Sequence, residues 1–204
     1  MIITGNGSAC VITFQAAYLR KGQRMFTNSG SASMGYDLPA AIGASISSKN
    51  KKVICIAGDG SLMMNIQELE TVKNYNLPIK IIILNNQGYA SIKQTQNNFF
   101  PDNVFGVGPN DEVSFPSFEK VGKAFLIKSK TITTLNEWQS KAVQDLLNSN
   151  DPVLFDVKID PNQIFSPKLA SKKLPDGTMS SPSLEDMAPF LSREEFLQNI
   201  IDDK

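Results

Sequence analysis

Two short aliphatic runs, separated by a segment with helical periodicity, constrain the fold of this chain more than any other feature. The runs are Lys52–Ala57 and Ile79–Leu84, and the helical pattern between them ends at Pro78. A strand, a helix and a second strand in this order are typical of the right-handed crossover that joins two parallel strands. The sequence therefore predicts a parallel sheet covered by helices.

The same alternation of strand and helix patterns continues along most of the chain, which predicts an α/β fold. We expect a three-layer α/β/α arrangement with a mainly parallel sheet of about six strands. The candidate strands are Met1–Thr4, Arg24–Thr27, Lys52–Ala57, Ile79–Leu84, Phe125–Ser129 and Val153–Ile159. The candidate helices are Ser8–Leu19, Gly35–Ser47, Met63–Tyr75, Ser117–Ala124 and Leu135–Asn148, with a short one at Arg193–Ile201.

The composition changes at Asp160, where proline, serine, lysine and aspartate become frequent. We expect a folded domain over residues 1–160 and an irregular, proline-rich tail over residues 161–204. The tail is expected to cover the active site or to pack on a partner. Within the domain, Asn97–Val113 has little periodicity and contains several glycine and proline residues, which predicts a surface loop.

The charge balance and the residue types exclude several function classes. Twenty basic and 20 acidic residues give a net charge of zero, so no nucleic-acid or membrane partner is expected. The chain contains no histidine, which excludes Ser-His-Asp catalysis within it and the usual zinc ligand sets. Cys10 and Cys55 lack metal-ligand spacing and are expected to be reduced thiols of a cytoplasmic protein. We expect neither a membrane span nor a signal peptide.

An acidic and an amide side chain follow the two strands in the middle of the chain. Asp59 comes just after the first strand and Asn86 just after the second. Because neighbouring parallel strands end at the same edge of a sheet, about 5 Å apart, their side-chain oxygens can converge on one ion. A carboxylate and an amide oxygen suit Mg²⁺, which completes its shell with water and substrate phosphates. This pair therefore predicts a phosphorylated ligand.

The residues around Asp59 agree with a phosphate nearby. Gly58 and Gly60 allow the backbone to pass close to a phosphate, and Ser61 is expected to precede a helix N-terminus, where free N–H groups favour anions. A plain strand-to-helix turn with a capping aspartate is the alternative for this segment taken alone. The second motif, Asn-Asn-Gln-Gly at residues 85–88, favours the ligand site.

The two motifs together resemble the thiamine diphosphate-binding motif, in which Gly-Asp-Gly is followed by 24 residues and then Asn-Asn. Asp59 and Asn86 are 27 positions apart, as in the acetohydroxyacid synthase branch of that family. The segments FTNSGSASMGYDLPAAIGAS, SFPSFEKVGKAF and DPVLFDVKIDP also resemble parts of this branch. The resemblance covers nearly the whole chain and implies the diphosphate-binding domain of an acetolactate synthase-like thiamine diphosphate enzyme.

The resemblance implies roles for individual residues, with thiamine diphosphate and Mg²⁺ as cofactors. The metal ligands would be the side chains of Asp59 and Asn86 and the carbonyl of Gly88. The Met34 carbonyl would accept a hydrogen bond from the 4′-amino group of the cofactor, and the Met34 side chain would lie between its two rings. The implied cofactor-binding residues are Gly7, Ser8, Ser33, Met34, Gly35, Gly58, Gly60, Ser61 and Tyr89. A core position is the alternative for Met34, and Tyr89 either lines the pocket or packs beneath it.

The glutamate that activates the cofactor in this family belongs to a separate pyrimidine-binding domain, in the same chain or in a partner chain. Glu68, Glu70 and Glu119 are expected on solvated helix faces, so we assign no catalytic residue here. The resemblance thus implies one half of a 2-oxo acid decarboxylase or carboligase, inactive alone and expected to form a homo-oligomer. The chain is either an excised C-terminal domain, which Met1 directly before the first strand favours, or a natural subunit of a split decarboxylase.

The sequence departs from the acetohydroxyacid synthases on the substrate side. Ser91 and Thr95 stand where those enzymes have a methionine and a tryptophan that shape the acceptor site. The turn at residues 7–10 is Gly-Ser-Ala-Cys rather than of the Gly-Gln-His-Gln type. The large aromatic wall of the acceptor site is therefore missing, and a role in branched-chain amino acid synthesis is not expected.

Two other classes of protein are alternatives. A non-catalytic Mg²⁺-nucleotide-binding α/β module is disfavoured because no Gly-x-Gly-x-x-Gly follows the first strand and no Gly-Lys-[Ser/Thr] loop is present. A regulatory or assembly subunit that has lost cofactor binding is disfavoured by the intact pair of Asp59 and Asn86.

Overall fold

A six-stranded sheet, parallel throughout, forms the middle layer of a three-layer α/β/α fold, which confirms the predicted fold class. Its strands are β1 (Ile2–Thr4), β2 (Met25–Phe26), β3 (Val53–Gly58), β4 (Ile79–Asn85), β5 (Lys128–Ile132) and β6 (Val153–Lys158). They lie in the spatial order β2-β1-β3-β4-β6-β5. The carboxyl ends of β1, β3 and β4 are therefore neighbours at one edge of the sheet.

The structure, a computed structural model, describes residues 1–109 and 113–201. The sheet is connected by α1 (Ser8–Ala16), α2 (Asp37–Ser47), α3 (Asp59–Met63), α4 (Glu68–Asn74), α5 (Ala90–Phe99), α6 (Phe118–Ala124), α7 (Leu135–Gln139) and α8 (Lys141–Asn148). A 3₁₀ turn at Pro101–Asn103 follows α5. None of the helices in the described residues is long and apolar enough to cross a membrane.

Two apolar clusters hold the helices on the sheet. On one face, α2, α4 and α6 bury Leu38, Leu69 and Phe118 against the strands. On the other, α7 and α8 pack Trp138 and Val143 on β5 and β6. Each fully buried large apolar side chain contributes about 1.5–3 kcal/mol to folding. These clusters fix the helices, and with them the turns at the strand ends.

Two predicted helices are interrupted. The predicted helix Met63–Tyr75 is replaced by α3, which begins directly after β3, and by α4. Between them the side chain of Asn65 donates to the carbonyl of Gly35, a partner outside the helix. The predicted helix Leu135–Asn148 is broken at Ser140, which has an extended ψ of 147° and donates through Oγ to the Glu137 carbonyl.

Two further segments differ from their predictions. The fifth strand was expected at Phe125–Ser129 but is β5, because Leu126 has a positive φ of 56° and residues 125–127 turn out of α6. Helix α5 was not predicted. Its sequence, ASIKQTQNNF, is mostly polar and none of its residues is buried, so few apolar positions mark it as a helix. The predicted loop Asn97–Val113 holds the end of α5 and the 3₁₀ turn, and its residues 110–112 lie outside the described residues.

The chain divides into two compact units, with the boundary between Gln163 and Ile164. The second unit contains a short antiparallel pair, β7 (Lys172–Lys173) and β8 (Met179–Ser180), and the helix α9 (Arg193–Asn199). Asp186 organises it, because its carboxylate accepts hydrogen bonds from both Lys172 and Arg193 at 2.7–2.9 Å. These two cations lower the pKa of Asp186 to about 2.

Lys80 is a fully buried lysine at the amino end of β4, opposite the edge that carries Asp59. Its ammonium group donates to Ser149 Oγ at 2.9 Å and to the carbonyl of Asp151. Burial, together with the nearby positive charge of Lys52, lowers the pKa of Lys80 to about 8. The lysine thus ties the loop between α8 and β6 to the sheet.

We predict that Lys80→Met lowers the free energy of unfolding by about 1–3 kcal/mol. Two hydrogen bonds that the charged ammonium group donates are lost, while the side-chain volume is kept. Urea denaturation at pH 7 measures the change. Lys51→Met, at an exposed position next to β3, is the control and should change the value by less than about 0.5 kcal/mol. Equal effects of the two substitutions would contradict this role of Lys80.

Candidate functional site

A cavity of about 130 Å³ opens at the carboxyl ends of β1, β3 and β4. It lies where open parallel sheets bind their ligands, at the crevice formed by the strand-to-helix turns. It is lined by Asn6, Gly7, Ser8, Met34, Gly58, Asp59, Gly60, Ser61, Leu84, Asn86, Gly88, Tyr89, Ala90, Ser91 and Ile92. The acid and the amide of the two motifs therefore border the same cavity.

Asp59 is the first residue of α3 and is almost completely buried, with 2% of its surface exposed. Its Oδ1 accepts from the Gly60 N–H at 2.7 Å and its Oδ2 from the Gly88 N–H at 3.1 Å. Among the described residues no lysine or arginine forms an ion pair with it. Burial raises the pKa of Asp59 to about 6, although these N–H groups and the charge of Lys158 act in the opposite direction.

Asn86 supplies the second oxygen. Its Nδ2 donates to Ser8 Oγ at 3.3 Å, while its Oδ1 is buried and has no hydrogen-bond partner within the described structure. An unpartnered buried oxygen costs free energy, as does a buried carboxylate without a cation. Both costs are relieved by a hard cation between the two groups, so this donor set fits Mg²⁺.

A second amide fixes the loop that carries Asn86. Asn85 donates to Asp156 of β6 at 2.8 Å and accepts from the Gln87 N–H at 3.1 Å. Lys158 forms an ion pair with the same Asp156 at 3.0 Å. These contacts hold Gln87 in the left-handed region, with a φ of 61°, and so set the direction in which the loop leaves β4.

Glycine is required at two positions because another part of the chain lies too close to leave room for a Cβ atom. A Cβ at Gly60 would overlap the ring of Tyr89, and a Cβ at Gly88 would overlap the carbonyl of Val107. Tyr89 in turn packs edge to face on Phe115, with ring centroids 5.8 Å apart. The tyrosine ring therefore closes one side of the cavity against the turn that follows β3.

The turn that carries Met34 is hydrogen-bonded to the short helix α3. The Gly35 N–H donates to Ser61 Oγ at 2.8 Å, and Ser61 Oγ donates to Asp37 Oδ2 at 2.6 Å. Asp37 is fully buried at the start of α2, and its burial raises the pKa of its carboxyl. Ser61 lies inside the first turn of α3 rather than before a helix, as the sequence analysis expected.

Most of the residues singled out from the sequence come together in the cavity lining. Ser33 and Gly35 do not line it, because Ser33 is exposed and accepts from Asn28, and Gly35 lies behind Ser61. The sequence analysis missed four lining residues, Asn6, Leu84, Ala90 and Ile92, and it missed Asp37, whereas it named Ser91 only as an acceptor-site position. A charged residue inside the apolar segment DLPAAIGAS was the available signal for Asp37.

Comparison with known proteins identifies the family. Residues 5–157 match the family model described as thiamine pyrophosphate enzyme, C-terminal TPP binding domain. The chain belongs to this family. Thiamine pyrophosphate is another name for thiamine diphosphate, so the match confirms the resemblance on which the sequence analysis relied.

Acetolactate synthases are among the relatives of this TPP-binding domain. It is 38% identical over 161 residues to the acetolactate synthase large subunit of Pyropia yezoensis, which is 78% of this chain and 27% of that protein. It is 37% identical over 166 residues to the acetolactate synthase isozyme 2 large subunit of Escherichia coli K12, which is 81% of this chain and 29% of that protein. The chain therefore spans less than a third of the length of these relatives.

We predict that Asp59 makes the metal-free chain less stable as the pH rises from about 4 to 6. Because the pKa of Asp59 is raised in the folded state, the unfolded chain loses this proton at a lower pH than the folded chain does. The stabilisation that is present below about pH 4 is therefore lost as the pH rises through the pKa of the folded state. The rise from the ordinary value of 3.8 to about 6 corresponds to on the order of 3 kcal/mol.

The measurement is urea denaturation with EDTA at pH 4 and pH 7.5, for the wild type and for Asp59→Asn. The difference in unfolding free energy between the two proteins should change by on the order of 3 kcal/mol between these pH values, in favour of the variant at pH 7.5. Comparing the two proteins cancels the contributions of all other titrating groups. A difference that is independent of pH would mean that Asp59 keeps its ordinary pKa.

Proposed function

We propose that this TPP-binding domain is the diphosphate- and Mg²⁺-binding half of an acetolactate synthase-like 2-oxo acid decarboxylase or carboligase. One observation carries the proposal: in a member of this family, a buried carboxylate and a buried amide oxygen border one cavity, and among the described residues the first has no ion-pair partner and the second no hydrogen-bond partner. Mg²⁺ would be held by the side chains of Asp59 and Asn86 and by the carbonyl of Gly88. Water and diphosphate oxygens would complete its octahedron.

The diphosphate would lie between the two turns that border the cavity. Gly7 and Ser8 begin α1 on one side, and Gly58, Gly60 and Ser61 belong to the β3–α3 turn on the other. The hydroxyl proton of Ser61 is committed to Asp37, so the proposed contact of Ser61 with the diphosphate uses its main-chain N–H. The absence of side chains at the three glycines lets the phosphate oxygens approach the backbone closely.

The ring end of the cofactor would lie at Met34, with Ser33 and Gly35 beside it. Met34 is half-buried at the cavity wall, where its thioether can pack between two rings. Tyr89 closes the opposite side. When bound, thiamine diphosphate supplies the carbanion that attacks the carbonyl of a small 2-oxo acid. The residues of this chain bind and orient it, and they exclude water from its diphosphate.

A pyrimidine-binding domain, of the same protein or of a partner, would supply the activating glutamate and complete the site. The relatives are more than three times as long as the matched segment, which leaves room for such a domain in proteins of this kind. We propose residues 1–160 as the diphosphate-binding domain and residues 161–204 as a tail that covers the site or packs on a partner. A cytoplasmic homo-oligomer is part of the same proposal.

The acceptor side is open in this chain. Ser91 and Ile92 border the cavity from α5, whereas Thr95 is exposed and donates to the carbonyl of Ser91. Small side chains at 91 and 95 leave space beside the cofactor. We therefore propose an acceptor other than the short aliphatic 2-oxo acids of branched-chain amino acid synthesis.

Calorimetry tests the cofactor assignment. We expect thiamine diphosphate to bind with Mg²⁺ and to lose affinity when EDTA is present, whereas ATP with Mg²⁺ should not bind. Asp59→Ala and Asn86→Ala should each weaken binding about 100-fold, because each removes a buried metal ligand. Asp145→Ala, at an exposed position in α8, is the control and should bind like the wild type. Binding of ATP in place of thiamine diphosphate would overturn the assignment.

The dependence on a second domain is tested by turnover. With thiamine diphosphate, Mg²⁺ and pyruvate, the chain alone should release no carbon dioxide above the rate of the Asp59→Ala variant, because it lacks the activating glutamate. Sustained release by the wild type alone, abolished in Asp59→Ala, would show that the site is complete in this chain and would contradict the proposal.

A further inference from the structure

We propose that Asp37 is a positioning residue that acts through Ser61 to aim the main-chain carbonyl of Met34 at the ring end of the cofactor cavity. The hydrogen-bonded series from Asp37 through Ser61 to Gly35 is called the relay below. The inference rests on the proposed function, because it concerns how the same site orients thiamine diphosphate.

The relay begins at a carboxylate that fold stability alone does not explain. Asp37 has none of its surface exposed, and no lysine or arginine of the described chain forms an ion pair with it. Its Oδ1 accepts from the Leu38 N–H at 2.8 Å, and its Oδ2 accepts from Ser61 Oγ at 2.6 Å. A buried carboxylate without a cation costs free energy, so an apolar residue would serve the core better.

The direction of each hydrogen bond in the relay follows from its ends. The carboxylate of Asp37 accepts only, so the Ser61 hydroxyl donates to it. At the other end the Gly35 N–H donates only, so a lone pair of the same hydroxyl accepts from it at 2.8 Å. Asp37 therefore fixes the rotation of the Ser61 hydroxyl and keeps its lone pair available for Gly35.

The last bond of the relay fixes a peptide plane. The Gly35 N–H and the Met34 carbonyl belong to the same planar peptide, and in a trans peptide they point in opposite directions. Binding the N–H to Ser61 therefore aims the carbonyl away from α3. In the proposed function this carbonyl accepts a hydrogen bond from the 4′-amino group of thiamine diphosphate, so the relay sets the geometry of that contact.

The next peptide is held as well. Asn65 Nδ2 donates to the Gly35 carbonyl, and Gly35 has a φ of 77° that side chains other than glycine rarely adopt. A Cβ at this position would lie 2.7 Å from Asn65 Nδ2 and 2.9 Å from Met64 Cβ. Both polar groups of Gly35 are thus bound to the segment that follows Asp59, which anchors the backbone immediately after Met34.

The test compares two ligands that differ in the substituent at the 4′ position of the pyrimidine ring. Oxythiamine diphosphate carries an oxygen in place of the 4′-amino group and cannot donate to the Met34 carbonyl. Ser61→Ala breaks the relay, and with Mg²⁺ present we expect it to weaken thiamine diphosphate binding about tenfold in calorimetry. We expect a change of less than about twofold for oxythiamine diphosphate, because that ligand does not use the carbonyl.

Asp37→Asn should give the same selective loss, since an amide presents only one acceptor to the two donors, and the double variant should be no weaker than either single one. Ser45→Ala is the matched control: it removes another fully buried serine hydroxyl, one without a hydrogen-bond partner in the described structure, and should leave both affinities unchanged. Thermal unfolding of each variant shows whether the fold is kept.

The inference is overturned if a folded Ser61→Ala protein binds both ligands more weakly by the same factor, or binds both as tightly as the wild type does. Asn65→Ala, at a half-buried position, provides a second route to the same turn if the core variants do not fold, and it should show the same selectivity. If it does not, the inference is wrong. A wild-type chain that binds neither ligand overturns the proposed function instead, so the two failures are distinguishable.

Discussion

The site depends on one constraint, a carboxylate that is buried at the end of a strand and forms no ion pair with any described lysine or arginine. Asp59 accepts N–H groups from both Gly60 and Gly88, so it joins the turn after β3 to the loop after β4. These N–H groups and the charge of Lys158 lower its pKa, but burial outweighs them and raises the pKa of Asp59 to about 6. The close contacts at Gly60 and Gly88 and the left-handed backbone of Gln87 belong to the same junction between the two segments. In the proposed function, Mg²⁺ would compensate this buried charge.

The short helix α3 relates the two ends of the proposed cofactor site. Its first residue, Asp59, belongs to the metal end, and its third, Ser61, receives the N–H that orients the peptide after Met34. Asn65, two residues beyond the helix, binds the carbonyl of Gly35. Asp59 and Ser61 belong to the same turn of α3, and Asn65 to the segment that follows it, so α3 sets the spacing between the metal end and the ring end of the proposed site.

The sequence was sufficient to predict those elements whose structure depends mainly on their own residues. The aliphatic runs before Asp59 and Asn86 predict β3 and β4 to within one residue, and most of the residues implied by the motifs line the cavity. The sequence was insufficient to predict features that depend on contacts between residues far apart in the chain. The break after α3 depends on Asn65 reaching Gly35, 30 positions away, and the role of Asp37 depends on Ser61, 24 positions away. Helix α5 is mostly polar and buries no residue, so few apolar positions mark it in the sequence.

The exposure of α5 has a consequence for how such a site changes over evolutionary time. The helix forms a rim of the cavity through Ala90, Ser91 and Ile92, yet none of its residues belongs to either apolar cluster. Replacement of an exposed residue such as Ile92 should therefore cost little folding free energy while it changes one border of the cavity. Under the proposed function, the part of the site that changes at little cost to the fold would lie beside the reacting end of the cofactor, away from the turns that would hold its diphosphate.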